Sequence, residues 1–212
     1  MKHLLKKTAR IVCLFAVAPA VVMYWIHAGL LCKEKAFPGW SQFFSLFPGT
    51  SGAFLRHAFY SCSLRECETD ACISFGTVFS HPGASVGRTA YIGNYCSIGD
   101  VEIGDDVLIA SHVSVMNGSC QHGIDRLDIP VREQEGVFDP VSIGNDTWIG
   151  ERAIIAANVG HHCVIGAGAL VLSPIPDYAI AVGVPARVIR DRRDIANDKA
   201  GSRSAVADVA TL

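Results

Sequence analysis

His122 sits in the run Val115-Met-Asn-Gly-Ser-Cys-Gln-His122-Gly, with irregular sequence following it as far as Pro140. An imidazole ionises near neutrality, which suits it to taking a proton from a substrate group in a transition state. Between Ser119 and Pro140 there is no periodicity, whereas the sequence on either side is periodic. A loop of that length inside a compact domain is usually functional, and we read it as the active site. No serine nucleophile elbow and no Cys-His signature accompanies it, so a general base is expected rather than a covalent nucleophile.

The elements that must carry this loop are written in steps of six. Apolar residues recur at Val86, Ile92, Ile98, Ile103, Ile109 and Val115, and again at Ile143, Ile149, Ile155, Ile165 and Val171. Four residues after such positions come Ala90, Cys96, Val107, Val113, Ser119, Thr147, Ala153, Val159 and Ala169, each small enough for a tight interior corner. A helix would need steps of three and four, and hairpins would need strict alternation. Short strands joined by turns fit instead. Three units close a triangular coil, and stacked coils bury a column of Ile and Val. The step shortens from Ile98 to Ile103 and from Ile155 to Val159; Val159, Ile165 and Val171 then restart the count, with Cys163 on a corner. A trimmed turn is expected there.

These hexads, together with Gln121-His122-Gly-Ile-Asp125, Asp146-Thr-Trp148-Ile-Gly150 and Gly183-Val-Pro185-Ala-Arg187-Val-Ile189, resemble the hexapeptide-repeat acyltransferases over residues 71–190. The likeness is to the branch that acetylates sugars, antibiotics and related hydroxyl acceptors. It implies a mainly β fold, a left-handed parallel β-helix, which is an exception to right-handed crossovers. A hydrophobic N-terminal helix and a short C-terminal helix or tail would flank it. The resemblance also implies a homotrimer in which the 119–140 loop closes a groove against a neighbouring subunit. His122 would be the general base, acetyl-CoA the co-substrate, and no metal is predicted. A thioester is electrophilic enough for direct transfer, and backbone N–H groups of the next coil could hold the oxyanion.

Further site residues follow from the same resemblance. Asn94 would reach the acceptor, or is a turn asparagine. Asp125 would orient the imidazole or bind the acceptor. Trp148 would wall the groove. Gly150, Ala156, Gly166, Ala167 and Gly168 would leave room for pantetheine, although the repeat alone also accounts for them. Pro185 would pack on the adenine, and Arg187 or Arg190 would meet a CoA phosphate. His81 could face the same groove or serve a corner or cap, while His112, His161 and His162 face solvent. The γ-class carbonic anhydrases share this fold but need three zinc histidines, and His81, His112 and His122 lack the strand phasing. Serine acetyltransferase is disfavoured because its Asp-His dipeptide motif and long helical N-terminal domain are missing.

Eighteen Lys and Arg against twenty Asp and Glu give a net charge of -2, which suggests no nucleic-acid partner. The eight cysteines are scattered, and reduced, structural thiols are expected. Ile11 to Cys32 carries no charge and is bracketed by Lys6, Lys7 and Arg10 on one side and Lys33 and Lys35 on the other. Residues 1–35 therefore read as a membrane-associated segment. A spanning helix with its basic end inside would separate the repeats from cytoplasmic acetyl-CoA. A cleaved signal with Ala18-Pro-Ala20 is the other alternative. Pro19 and Gly29 suit a helix that enters the cytoplasmic leaflet and bends back, keeping the catalytic domain cytoplasmic. Residues 36–70 are aromatic-rich and read as interfacial or as a cap on the solenoid, and 191–212 as a flexible tail. The expected function is O-acetyl transfer to a saccharide hydroxyl, on a lipid-linked or polysaccharide precursor. A small soluble acceptor, or a non-catalytic scaffold, are the alternatives.

Overall fold

The computed structural model describes residues 2–118 and 121–201. Three parallel sheets form the sides of a prism. Sheet A holds Glu66–Cys67, Ser85–Val86, Val101–Ile103 and Val141–Ile143, and is continued by bridges at Val159 and Ile175. Sheet B holds Cys72–Ile73, Tyr91–Ile92, Leu108–Ile109, Trp148–Ile149, Val164–Ile165 and Ala179–Val182, and Arg187–Asp191 turns back antiparallel on the last of these. Sheet C holds Val78–Phe79, Ser97–Ile98, Ser114–Val115, Ile154–Ile155 and Leu170–Val171. The chain visits A, B and C in turn through six coils of a left-handed β-helix.

Pairing is in register, so equivalent residues stack. Ile73, Ile92, Ile109, Ile149 and Ile165 form one buried column, and Phe79, Ile98, Val115, Ile155 and Val171 another. Val86, Ile103, Ile143 and Val159 make the third, which confirms that Val159 resumes the count. The corner residues Ala90, Cys96, Val107, Val113, Thr147, Ala153, Cys163 and Ala169 are buried as well. Ser119, the expected corner residue at the loop, lies outside the described residues.

The turns need two things. First, at the A/B and B/C corners, the residue after the apolar strand position is usually small. A Cβ on Gly87 would lie 2.5 Å from the Gly104 backbone, and one on Gly150 2.5 Å from the Ala167 nitrogen. Second, the residue before each corner adopts left-handed backbone, and mostly it is not glycine: Thr89, Tyr95, Asp106, His112, Asp146, Arg152, His162 and Tyr178 all have φ between 52° and 63°. Such residues are uncommon. Here the stack above and below fixes their geometry through bonds such as His112 N–H to Asn94 O at 2.8 Å.

The N-terminal region is three helices: α1 (Lys2–Leu31), α2 (Lys33–Ser45) and α3 (Gly49–Ser63). Helices α2 and α3 close the first coil. Phe37, Phe44, Phe59 and Tyr60 are buried in one aromatic cluster that reaches Phe79 of sheet C. Arg56 is buried and donates from Nε to the Ile73 carbonyl at 2.8 Å, and Ser41 Oγ accepts the Phe79 N–H at 2.8 Å. Burial lowers the Arg56 pKa, and these carbonyl bonds answer its donors.

Helix α1 runs unbroken through Pro19, and the chain reverses at Cys32, where φ is 77°. The reversal thus falls three residues after Gly29, and the helix does not end at Pro19, although a proline there removes one backbone donor. Val17, Tyr24 and Ala28 face inward along one stripe, while Ile11, Val12, Leu14, Phe15, Val22, Met23, Trp25, Ile26, Leu30 and Leu31 are exposed. Lys6–Leu31 is long and apolar enough to cross a membrane by length and composition. At the other end, Asp191 finishes the antiparallel strand and Arg192–Gly201 forms α4, so a flexible tail does not begin at residue 191. The remainder of the expected tail lies outside the described residues.

Candidate active site

The irregular segment leaves the solenoid after Ser114–Val115 of sheet C and returns at Val141–Ile143 of sheet A. It therefore projects from the C/A corner. Asn117 fixes its base: it is buried, and its Oδ1 accepts the Asp100 N–H at 2.5 Å while its Nδ2 approaches His81 Nδ1 at 3.2 Å. His81 also bonds Ser80 Oγ at 2.8 Å. Of its two expected settings, His81 therefore takes the corner, bracing the loop from coil 1.

Within the loop, Gln134 does for the backbone what a sheet would do elsewhere. Its Oε1 accepts the Arg126 N–H at 3.1 Å and its Nε2 donates to the Arg126 carbonyl at 2.7 Å. The two arms are pressed together, for a Cβ on Gly136 would lie 1.9 Å from the Gln121 carbonyl oxygen. His122 rides on this braced hairpin. It is exposed, and its ring meets Phe138 edge-on at 6.3 Å between centroids. Among the described residues nothing hydrogen-bonds its imidazole. Asp125 is exposed and makes no hydrogen bond to it, so the orienting role offered for Asp125 is not supplied within one chain.

Beside the returning arm lies a cleft of about 280 Å³, walled by Val137, Asp139, Ala156, Ala157, Leu172 and Pro174. Its floor is made of small residues at the C/A corner of later coils, a shape that admits an extended chain. Of the expected cofactor residues only Ala156 lies here. Gly150, Gly166, Ala167 and Gly168 lie at the B/C corner of coils 4 and 5. The structure thus divides that set between two edges of the prism.

Trp148 and Asn94 are also away from the loop. Trp148 stands half-exposed on the outer face of sheet B, between Leu108 and Val164, beside a separate cleft of about 450 Å³ that reaches Arg192. Asn94 is on the B/C corner, where its carbonyl and N–H join the turn stack; the asparagine is a turn residue in the single chain. Pro185 follows a cis peptide bond after Val184, and Arg187 opens the antiparallel strand with its Nη1 on the Ala186 carbonyl. Arg190 is paired with Asp198 of α4.

His112, His161 and His162 are accounted for by the repeat. His112 stacks on Tyr95 at the B/C corner, and His161 Nδ1 accepts the Asn145 N–H at 2.9 Å. His162 stacks on Tyr178, bonds Asp146 Oδ2 at 2.9 Å, and is not simply solvated. With Arg192 it holds the Asp146 carboxyl below its ordinary range. His81 and His112 lie on different corners, and among the described residues no group of three His, Cys, Asp or Glu is placed to hold a metal. Burial raises the Cys96 and Cys163 thiols and pushes Cys67 up to about 12, which suits inert thiols. Sequence reasoning missed Asn117 and Gln134, whose partners are mostly main-chain atoms. The only sequence signal was their place at the loop base and in its return arm.

Residues 140–173 match the family model of the hexapeptide repeat of succinyl-transferase. The chain is 38% identical to galactoside O-acetyltransferase of Escherichia coli over 51% of its own length and 54% of that protein. It is 31% identical, over 54% of its length and 61% of the other, to an Escherichia coli protein named for O-acetyl transfer in lipopolysaccharide biosynthesis. Across these and a further curated relative it spans between 35% and 61% of the relative's length. A solved structure of galactoside acetyltransferase in complex with coenzyme A superposes with a TM-score of 0.65 at 25% identity, covering 77% of this chain and 83% of that one. With the six-residue coils, the braced histidine loop and these likenesses together, the chain is similar to the hexapeptide-repeat acyltransferases over its solenoid.

Proposed function

We propose that the protein transfers acetyl from acetyl-CoA to a saccharide hydroxyl, with His122 as general base. The observation that carries this is the exposed imidazole on a braced loop beside a narrow cleft of small residues. Support for the co-substrate comes from the similar galactoside acetyltransferase, which is solved with coenzyme A. The extended pantetheine arm suits the cleft along Ala156, Ala157 and Leu172. His122 takes the acceptor's hydroxyl proton as its oxygen bonds to the thioester carbonyl carbon. The resulting tetrahedral oxyanion collapses with cleavage of the carbon–sulfur bond, and the proton on His122 passes to the departing thiolate.

The site is built as a homotrimer. Trp148 and the glycines of the B/C corner contribute only if a second chain lays its sheet B side against the first chain's loop. The outer residues of sheet B favour this, since Tyr91, Leu108 and Trp148 form an exposed apolar row in register. Asp125 would meet the acceptor across that boundary. The acceptor is a lipid-linked or polysaccharide precursor met at the cytoplasmic leaflet, where the bare apolar surface of α1 holds the protein. The relative named for lipopolysaccharide biosynthesis supports that acceptor class.

Calorimetry and thermal shift with acetyl-CoA, on wild type and His122→Ala, test this without knowledge of the acceptor. Equal binding by both, with turnover confined to wild type on lipid-linked saccharides, is the expected result. Absence of binding by either would sink the acyltransferase reading. A small soluble acceptor is the second reading, favoured by the likeness to galactoside O-acetyltransferase. Turnover of free galactosides equal to that of lipid-linked saccharides would establish it.

A further inference from the structure

At the N-terminal end of α1, away from the histidine loop, a pocket of about 210 Å³ lies between α1, α3 and the first coil. Lys6 and Arg10 enter it from one side of α1, a single turn apart. Thr50, Phe54 and His57 face them from α3, and Asp70 from the A/B corner. Arg10 is ion-paired with Asp70, which ties α1 to the solenoid. Lys6 has no ion-pair partner among the described residues, so the pocket keeps an excess positive charge. His57 adds little to it: its Nε2 is 3.0 Å from the Glu68 carbonyl, and burial lowers its pKa.

The position of this charge is what gives it meaning. Immediately beyond Arg10, α1 exposes Ile11, Val12, Leu14 and Phe15, the start of its bare apolar surface. The pocket itself has an apolar wall in Ala53, Phe54 and Ala71 beside its cations. A cationic recess opening next to a helix suited to acyl chains matches a molecule with a phosphate joined to hydrocarbon. We infer that the pocket receives the phosphate of an anionic lipid headgroup, which fixes the protein's orientation on the membrane. This rests on the leaflet association proposed above and gives it a defined lipid partner.

The test is flotation of the full-length, detergent-purified protein with phosphatidylcholine vesicles, with and without phosphatidylglycerol. Wild type should bind both and prefer the anionic vesicles. Lys6→Gln should weaken binding to the anionic vesicles about fivefold, in line with one basic residue at a charged surface. Thr50→Glu, which places a carboxylate in the pocket and leaves the Arg10–Asp70 pair intact, should abolish the preference. Lys33→Gln, at the start of α2 just past the far end of α1, should leave it nearly unchanged.

Equal losses in Lys6→Gln and Lys33→Gln would show diffuse surface attraction and overturn the site while leaving membrane association in place. No flotation with either vesicle would remove the membrane reading and the lipid with it. If glycerol 3-phosphate then raised the wild-type melting temperature but not that of Thr50→Glu, the pocket's ligand would be a soluble phosphate instead.

Discussion

Two kinds of corner make up the prism, and they differ in how much they allow. From sheet A to sheet B the apolar positions are always six apart, as at Val86 and Ile92, Ile103 and Ile109, or Ile143 and Ile149. From B to C the same holds at Ile73 and Phe79, Ile92 and Ile98, and Ile165 and Val171. From C to A the chain takes every length: Phe79 to Val86, Ile98 to Ile103, Ile155 to Val159, and the whole histidine loop between Val115 and Ile143. The fixed corners stack left-handed residues beside glycines whose added Cβ would lie about 2.5 Å from the next coil's backbone, so these turns have no room for an added side chain and little for an extra residue. The C/A corner lacks that stack. The long loop is inserted where the fold tolerates variation in length.

Breaking the loop should therefore cost function, and breaking a fixed corner or the column behind it should cost the fold. The largest effect is expected from His122→Ala, a fall of about 10²–10⁴ in kcat with no change in melting temperature. A drop in melting temperature of core size would mean that the loop is structural after all. Next is Ile149→Ala, fully buried in the sheet B column, which should lower stability by about 2–5 kcal/mol in denaturant titration. Its kcat per folded molecule should hold.

Asn117→Ala sharpens the boundary between the two regions. It deprives the Asp100 N–H of its acceptor and should cost about 1–3 kcal/mol, while loosening the loop enough to lower kcat/KM. An unchanged kcat/KM would detach loop position from catalysis. The smallest effect belongs to the fixed A/B corner of the last coils, at Asp146. Its carboxyl is held low by the His162 hydrogen bond and by Arg192, so its contribution is present above the ordinary carboxylate range and lost as pH falls through the lowered value. The group is half-exposed, and its loss should amount to less than about 1 kcal/mol in acid melts compared with Asp146→Asn.

The solenoid was readable because each buried column recurs at a fixed step, and the trimmed turn before Val159 was readable as a break in that step. Helices α2 and α3 were not. Phe37-Pro-Gly and Phe47-Pro-Gly carry helix breakers, and what makes these short segments helical is packing of Phe37, Phe44 and Phe59 on the first coil rather than propensity. Several left-handed residues were equally hidden, because Thr89, Tyr95 and Arg152 are not the types that announce positive φ. For the site, His122 was visible as a break in a pattern. Its supports were not, since Asn117 and Gln134 bond mainly to main-chain atoms that only the folded loop brings near. The separation of Ala156 from Gly150 and Gly168 within one chain was hidden for a simpler reason: sequence phase gives the height of a residue in the stack more readily than the edge it occupies.

The closures at the two ends of the prism also decide how the molecule meets its own copies. A bare terminal coil presents a row of unpaired N–H and C=O groups on which another chain could add as the next rung, the start of a fibre. At one end Arg56 and Ser41 already hold the Ile73 carbonyl and the Phe79 N–H. At the other, Arg187–Asp191 runs antiparallel and leaves sheet B no parallel edge to extend. These contacts hinder lengthwise templated growth at the edges of sheets B and C that they cover.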